Sequence, residues 1–294
     1  MVTMIYWNND SLLFATGLPL KEIAQLLSTH NELTIEEKLK QVGSKYLHRY
    51  ETMKTYHQLI LEGKQKLPII PVIVGMPGVG KTAIAKELSV ALNIGIVIGG
   101  DSLRSALRKF ILDKEKDVFN SSIYDTWKVF GEKSTKTIIQ GFEAQAKIMN
   151  QAIQRIIADR GFRDGESMII EYLHFLPFQF DSEVIKHPSF MPLVLKITDE
   201  EIYSKRIMER SKYSHLRNDG ERLLSKMDIY LAMQEHLCKE AKKNDIKIIN
   251  IDNFEDGFDK SLDYIIDRIV ILNTKKDLKQ ELKIVQELMK ERYE

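Results

Sequence analysis

The run Gly75-Met76-Pro77-Gly78-Val79-Gly80-Lys81-Thr82 constrains this 294-residue chain more than any other feature. It satisfies G-x-x-x-x-G-K-[ST] at every fixed position, and its flanks suit the motif. Ile69-Ile70-Pro71-Val72-Ile73-Val74 upstream is the short apolar run a buried parallel strand needs, and Ala83-Ile84-Ala85-Lys86-Glu87-Leu88 downstream reads as the first turns of a helix. Glycines let the backbone wrap so that successive N–H groups point at phosphate oxygens, and the helix N-terminus adds its positive dipole end. Residues Gly75 to Ala83 are therefore expected to cradle a nucleoside triphosphate, with Lys81 reaching its β- and γ-phosphates and the Thr82 hydroxyl on Mg²⁺.

Around this loop the apolar runs alternate with helical stretches. Further runs fall at Ile94–Ile98, Met168–Ile170, Leu193–Ile197 and Ile246–Ile251. Strands separated by helices imply right-handed crossovers and a parallel sheet covered on both faces. The expected fold is α/β, a P-loop kinase core with five parallel strands between helices. Leu20 to Gly63 reads as helical, with Thr34-Ile35-Glu36-Glu37 in capping-box form, and Gly63-Lys64-Gln65-Lys66 breaks it. The expected organisation is a helical N-terminal region at 1–65, the core at 66–272 and a charged C-terminal helix at 273–294. Lys+Arg number 43 and Asp+Glu 42, so no global field favours nucleic acid. Cys238 is the only cysteine, which excludes an intrachain disulfide and a multi-cysteine metal site. With neither a signal peptide nor a membrane-length apolar run, a cytoplasmic protein is expected. A homodimer is left open.

In an open parallel sheet, chemistry gathers beyond the carboxyl ends of the strands. Gly99-Gly100-Asp101-Ser102-Leu103-Arg104 follows one run there. Asp101 is the candidate to hold or deprotonate an acceptor hydroxyl, and Arg104, on the same side of a starting helix, to bind an anionic substrate. The bland alternative is an N-capping aspartate with a solvated arginine. Glu171 ends the Met168–Ile170 run and is the candidate for Mg²⁺ or its water, while His174 divides between substrate contact and a structural hydrogen bond. After Thr198-Asp199-Glu200-Glu201, itself of capping-box form, a basic helix carries Lys205, Arg206 and Arg210, followed by Lys212 and Arg217. Arg206 and Arg210, four apart, are candidates for a lid over the transferring phosphoryl, against a merely solvated basic face. In Ser121-Ser122-Ile123-Tyr124-Asp125-Thr126-Trp127-Lys128 the serines and Lys128 are acceptor candidates, with Tyr124 and Trp127 assigned to packing.

GMPGVGKTAIAKELSVALNI, GGDSLRSALRKF, SSIYDTWK, QGFEAQAKIMNQAIQRII, MIIEYLHFLP and ERLLSKMDIYLAMQEHLCKEA occur in that order, and with them the chain resembles the 2-phosphoglycerate kinase family over roughly residues 66–270. The resemblance implies transfer of the ATP γ-phosphate to 2-phosphoglycerate, giving 2,3-bisphosphoglycerate, with Arg104, Lys128 and His174 on the acidic acceptor. The helical N-terminal part is similar to an ATP-cone-like regulatory region. Two departures stand out. Tyr172 follows Glu171 where the family has glycine, and Phe178 follows Pro177 where it has Pro-Gly. A different acceptor (a polynucleotide 5′-hydroxyl or a nucleoside) and a non-catalytic, ATP-switched regulator are the alternatives.

Overall fold

The structure, a computed structural model, describes residues 9–28, 33–213 and 220–274. Four helices come first, α1 (Asn9–Phe14), α2 (Leu20–Ser28), α3 (Ile35–Val42) and α4 (Ser44–Leu61). The helical stretch expected from Leu20 to Gly63 is thus divided. Thr34 starts α3 with the expected capping box, its Oγ1 accepting from the Glu37 N–H (3.2 Å) while the Glu37 carboxylate accepts from the Thr34 N–H (2.7 Å). Then come β1 (Ile70–Val74), α5 (Lys81–Ala91), β2 (Val97–Gly99), α6 (Gly100–Leu107), α7 (Lys116–Asn120), α8 (Thr135–Ile156) and β3 (Ile169–Tyr172). They are followed by α9 (Ser182–Lys186), β4 (Phe190–Lys196), α10 (Glu200–Tyr213), α11 (Gly220–Leu224), α12 (Met227–Lys243), β5 (Lys247–Asn250) and α13 (Phe254–Thr274).

The five strands form one parallel sheet in the order β2-β3-β1-β4-β5. β1 lies at its centre with all five residues buried, which is why it reads as an unbroken apolar run and not as an alternation. α5 and α13 cover one face, while α8 and α12 pack together on the other side, with α12 against β4 and β5. Each large aliphatic side chain so buried contributes roughly 1.5–3 kcal/mol relative to exposure. The chain order places the carboxyl ends of β1, β2 and β3 side by side, with β2 and β3 on the same flank of β1. Loops from all three strands therefore meet beside the phosphate loop.

The first four helices share this core. Tyr50 and Met53 of α4 belong to the same apolar cluster as Ile265 and Ile269 of α13. Arg49, fully buried, donates to the Thr16 carbonyl (2.8 Å), to Asp263 (2.8 Å) and to Asp259 (2.8 Å), so its charge is paired on all sides. Gln65, in the stretch read as a breaker, donates to the Leu272 carbonyl at 2.8 Å. The expected C-terminal helix lies outside the described residues beyond Thr274. Among the described residues no helix is long and apolar enough to cross a membrane.

Candidate active site

The phosphate loop closes between β1 and α5, with Gly78 (φ 86°) and Gly80 (φ 102°) in the left-handed region that only glycine enters without cost. Met76 and Val79 are buried anchors that hold the loop onto the core. The Lys81 ammonium donates to the Met76 carbonyl at 3.2 Å. The Thr82 hydroxyl donates to the Glu171 carboxylate at 3.3 Å, which joins the loop to the end of β3. Two side chains of α10 brace the loop from outside. Tyr203 donates to the Pro77 carbonyl at 2.8 Å, and Arg206 to the Val79 carbonyl at 3.3 Å. Arg206 also donates to the carbonyls of Ile251 (2.7 Å) and Asp252 (3.0 Å), and burial lowers its pKa. Burial alone would raise the Asp252 pKa, but hydrogen bonds from Thr198, Asn250 and the Asp199 N–H outweigh it and leave the carboxyl at about 2.

A cavity of about 710 Å³ opens on this loop, and its far wall comes from distant segments. α6 begins directly after β2, so Asp101 and Arg104 project from its first turns into the cavity lining. Gly100 makes that possible. A Cβ there would lie 2.3 Å from the Tyr172 Cβ, so α6 can start against β3 only without a side chain. Tyr172 turns its ring inward, where its hydroxyl donates to Asn150 at 3.0 Å. Arg104 donates through Nη2 to the carbonyls of Phe119 (2.7 Å) and Ser121. Burial lowers its pKa to about 10, still charged at neutral pH, and its Nε is buried without a hydrogen-bond partner.

His174 sits on the same wall, 2% exposed. The Gln145 amide nitrogen donates to the carbonyls of Val118 (2.8 Å) and Ser121 (3.1 Å), so its oxygen faces His174 Nε2 at 2.8 Å. Nε2 must then carry the proton, leaving Nδ1 a bare acceptor, buried and unpartnered. Burial, then the charges of Arg104 and Lys81, hold the imidazole well below its ordinary pKa. A neutral His174 offers an acidic ligand no charge, which corrects the expectation of an anion-binding histidine.

The fold thus gathers Lys81, Thr82, Ala83, Asp101, Arg104, Glu171, His174 and Arg206 around one cavity. Lys128 is not among them. It is exposed, lies outside the cavity lining and pairs with Asp125 at 2.8 Å, its helical i+3 neighbour. Arg206, expected over the phosphates, spends its donors on main-chain carbonyls instead. Arg210 lies in α10, but its side chain, like that of Lys212 and the whole of Arg217, is outside the described residues. The helix cap expected at Thr198 falls on Asp199, whose carboxylate accepts from the N–H groups of Glu201 and Ile202 because Thr198 is engaged by Asp252. Sequence reasoning missed Arg222 of α11, which lines the cavity and donates to the Tyr124 hydroxyl at 2.8 Å. Tyr124, assigned to packing, also lines it. No local pattern links residues 98 positions apart, so only the fold reveals this pair.

A five-stranded parallel sheet with a phosphate loop at its centre and carboxylates beyond the neighbouring strands defines a P-loop kinase. The AAA domain family matches residues 72–224. The chain is 33% identical over 180 residues, 61% of its length, to the mevalonate-3-phosphate 5-kinase of Thermoplasma acidophilum, of which it covers 87%. It is 29% identical to the 2-phosphoglycerate kinase of Pyrococcus horikoshii, covering 88% of this chain and 92% of that one. To the 2-phosphoglycerate kinase of Methanococcus vannielii it is 30% identical, covering 79% and 75%. The chain belongs to the AAA-domain family and, within it, to the P-loop kinases that include these archaeal enzymes. It is a phosphotransferase of an ATP-using family, acting on an alcohol group of a small metabolite.

Proposed function

We propose that the chain transfers the γ-phosphate of ATP to the hydroxyl of a small phosphorylated acid, with 2-phosphoglycerate as acceptor and 2,3-bisphosphoglycerate as product, in the cytoplasm. One observation carries the reading: Asp101 and Arg104, a carboxylate and a cation, stand on the far wall of the cavity that opens on the phosphate loop. A carboxylate there can hold or deprotonate an attacking hydroxyl while the arginine holds an anionic group of the same molecule. Lys81 would follow the charge that develops on the transferred phosphoryl. The Thr82 hydroxyl and Glu171 carboxylate, 3.3 Å apart, are hard oxygen donors suited to Mg²⁺, which takes one or two protein oxygens and completes its shell with phosphates and water. Its chemistry there is to neutralise charge on the β- and γ-phosphates. Among the described residues no three His, Cys, Asp or Glu gather as an all-protein metal cage, in keeping with that mode.

Mevalonate 3-phosphate, also a phosphorylated hydroxy acid, is the second reading. The 33% identity to a kinase of that name favours it. ATP consumption against 2-phosphoglycerate, mevalonate 3-phosphate, their unphosphorylated forms, nucleosides and 5′-hydroxyl oligonucleotides tests both. Stimulation by 2-phosphoglycerate supports the first reading; stimulation by another acceptor alone retires it. Asp101→Asn should keep nucleotide affinity and lose about 10²–10⁴ in transfer. Acceptor-independent turnover insensitive to that change would point instead to an ATP-driven switch.

A further inference from the structure

Among the described residues, the cavity sets five cationic side chains against the two carboxylates Asp101 and Glu171. Lys81 and Lys86 stand on α5, at the donor end, and Arg206 is committed to carbonyls around the phosphate loop. The remaining two, Arg104 and Arg222, come from opposite sides of the chain and meet on one short segment. Arg104 is fastened to the carbonyls of Phe119 and Ser121, and Arg222 to the hydroxyl of Tyr124. Arg104 Nε is buried with no partner. Arg222 is exposed, and its guanidinium carbon lies 5.8 Å from the centre of the Tyr124 ring. A guanidinium at a cavity wall can bind a phosphate through charge-assisted bonds, which are about twice as strong as neutral ones such as that to the Tyr124 hydroxyl. The two arginines at this end also suit an acceptor that bears a phosphate of about −2.

We propose that Arg222, with Arg104 beside it, seats the phosphate of the acceptor and thereby sets the preference for phosphorylated over unphosphorylated acceptors. The proposal rests on the reading above, in which the acceptor is a phosphorylated hydroxy acid. Tyr124 is then a holder that keeps Arg222 poised at the cavity wall until the anion arrives.

The test is calorimetric binding of 2-phosphoglycerate, glycerate and inorganic phosphate to the full chain saturated with a non-hydrolysable ATP analogue, which occupies the phosphate loop. Arg222→Met should weaken 2-phosphoglycerate binding by about 10- to 100-fold, as for loss of hydrogen bonds to a charged group, and leave glycerate binding within about twofold. Arg222→Lys should recover part of the loss, since a point charge replaces a planar fork. Tyr124→Phe removes the holder but not the seat, so it should bind 2-phosphoglycerate at least as well as the parent. If Tyr124→Phe loses as much as Arg222→Met, Arg222 is only a brace for the 123–129 segment and the proposal is overturned. Equal weakening of glycerate overturns it as well. Inorganic phosphate separates the two readings. Binding that Arg222→Met abolishes supports the seat even if 2-phosphoglycerate proves not to be a substrate, whereas no phosphate binding by the parent chain overturns it.

Discussion

The two ends of the cavity are built in opposite ways. The donor end comes from one contiguous run, Gly75 to Thr82, between the central strand and the helix that follows it, and it needs only braces from elsewhere, Tyr203 and Arg206 of α10. The acceptor end is assembled from α6, the 121–124 segment, Gln145 of α8, the end of β3 and α11, which together span more than a hundred residues of the chain. A phosphate loop grips its ligand mainly through consecutive backbone N–H groups, so a short motif suffices. An acceptor pocket reads a particular molecule through side chains, and long-range packing must bring those together. Donor chemistry can therefore be shared across a superfamily while acceptor choice drifts.

The comparison predicts its largest effect at the donor end. Lys81→Ala should lower kcat with any acceptor by about a thousandfold, the scale for losing one charge-stabilising donor in a closed site. A coupled ATP-consumption assay measures it, and the melting temperature should stay close to the parent's because the bond from Lys81 to the Met76 carbonyl is long, 3.2 Å. A variant that kept a tenth of its turnover would break the division of labour. The next effect falls on packing at the acceptor end. Gly100→Ala would force a Cβ to within 2.3 Å of the Tyr172 Cβ and 3.1 Å of its Cα. Overpacking of that kind costs about 1–3 kcal/mol, with roughly 2–4 °C of melting temperature per kcal/mol for a domain of this size. Asp101 and Arg104 ride on the displaced helix, so the KM for the acceptor should rise more than that for ATP. Adding Tyr172→Gly removes the clash, and the double variant should lose less stability than the sum of the singles. Strict additivity would show that the two residues do not compete for one space.

A smaller effect is expected behind the phosphate loop. The Asp252 carboxyl is depressed to about 2 from an ordinary 3.8. A depressed carboxyl stabilises the fold fully above its unfolded pKa and loses that contribution as pH falls through the folded value. The deficit of Asp252→Asn should thus be constant near neutrality, shrink below about pH 3.8 and vanish near 2. After allowance for solvent screening it should amount to about 1 kcal/mol or less. Urea midpoints measured across that range check it, and a deficit that grew on acidification would refute the hydrogen-bonded carboxylate.

What could be read in advance follows the same division. The five strands, their parallel sense and the loop were legible because an apolar run or a glycine pattern marks each, while the strand order had no local signal. Asp101 and Glu171 were legible because strand ends are where such sheets place chemistry. Arg206 was chosen by charge and helical spacing, which say nothing about the carbonyls of Ile251 and Asp252 that claim it. The tautomer of His174 depends on Gln145, and the role of Tyr124 on Arg222, pairs that are 29 and 98 residues apart. The departure at Tyr172 carries no local sign of where its ring goes; the ring turns into the core, and Gly100 is the residue that accommodates it.

The smallest predicted effect sharpens the comparison most. Lys128 and Arg222 are both cations near the 121–124 segment, and composition alone would rank them equally. Lys128 is 60% exposed, lies outside the cavity lining, pairs with Asp125, itself 29% exposed, and rests over the Trp127 ring. Exposed ion pairs contribute about 0–1 kcal/mol, and the long lysine stem loses entropy whenever it is held. Lys128→Ala should therefore change the KM for 2-phosphoglycerate by less than about twofold, with stability within about 1 kcal/mol of the parent. Steady-state kinetics on Lys128→Ala and Arg222→Met, run side by side with one acceptor, decide the matter. A tenfold or larger rise for Lys128→Ala would mean that the 121–128 segment turns inward when the acceptor binds, and the wall that selects the acceptor would then extend beyond the cavity seen here.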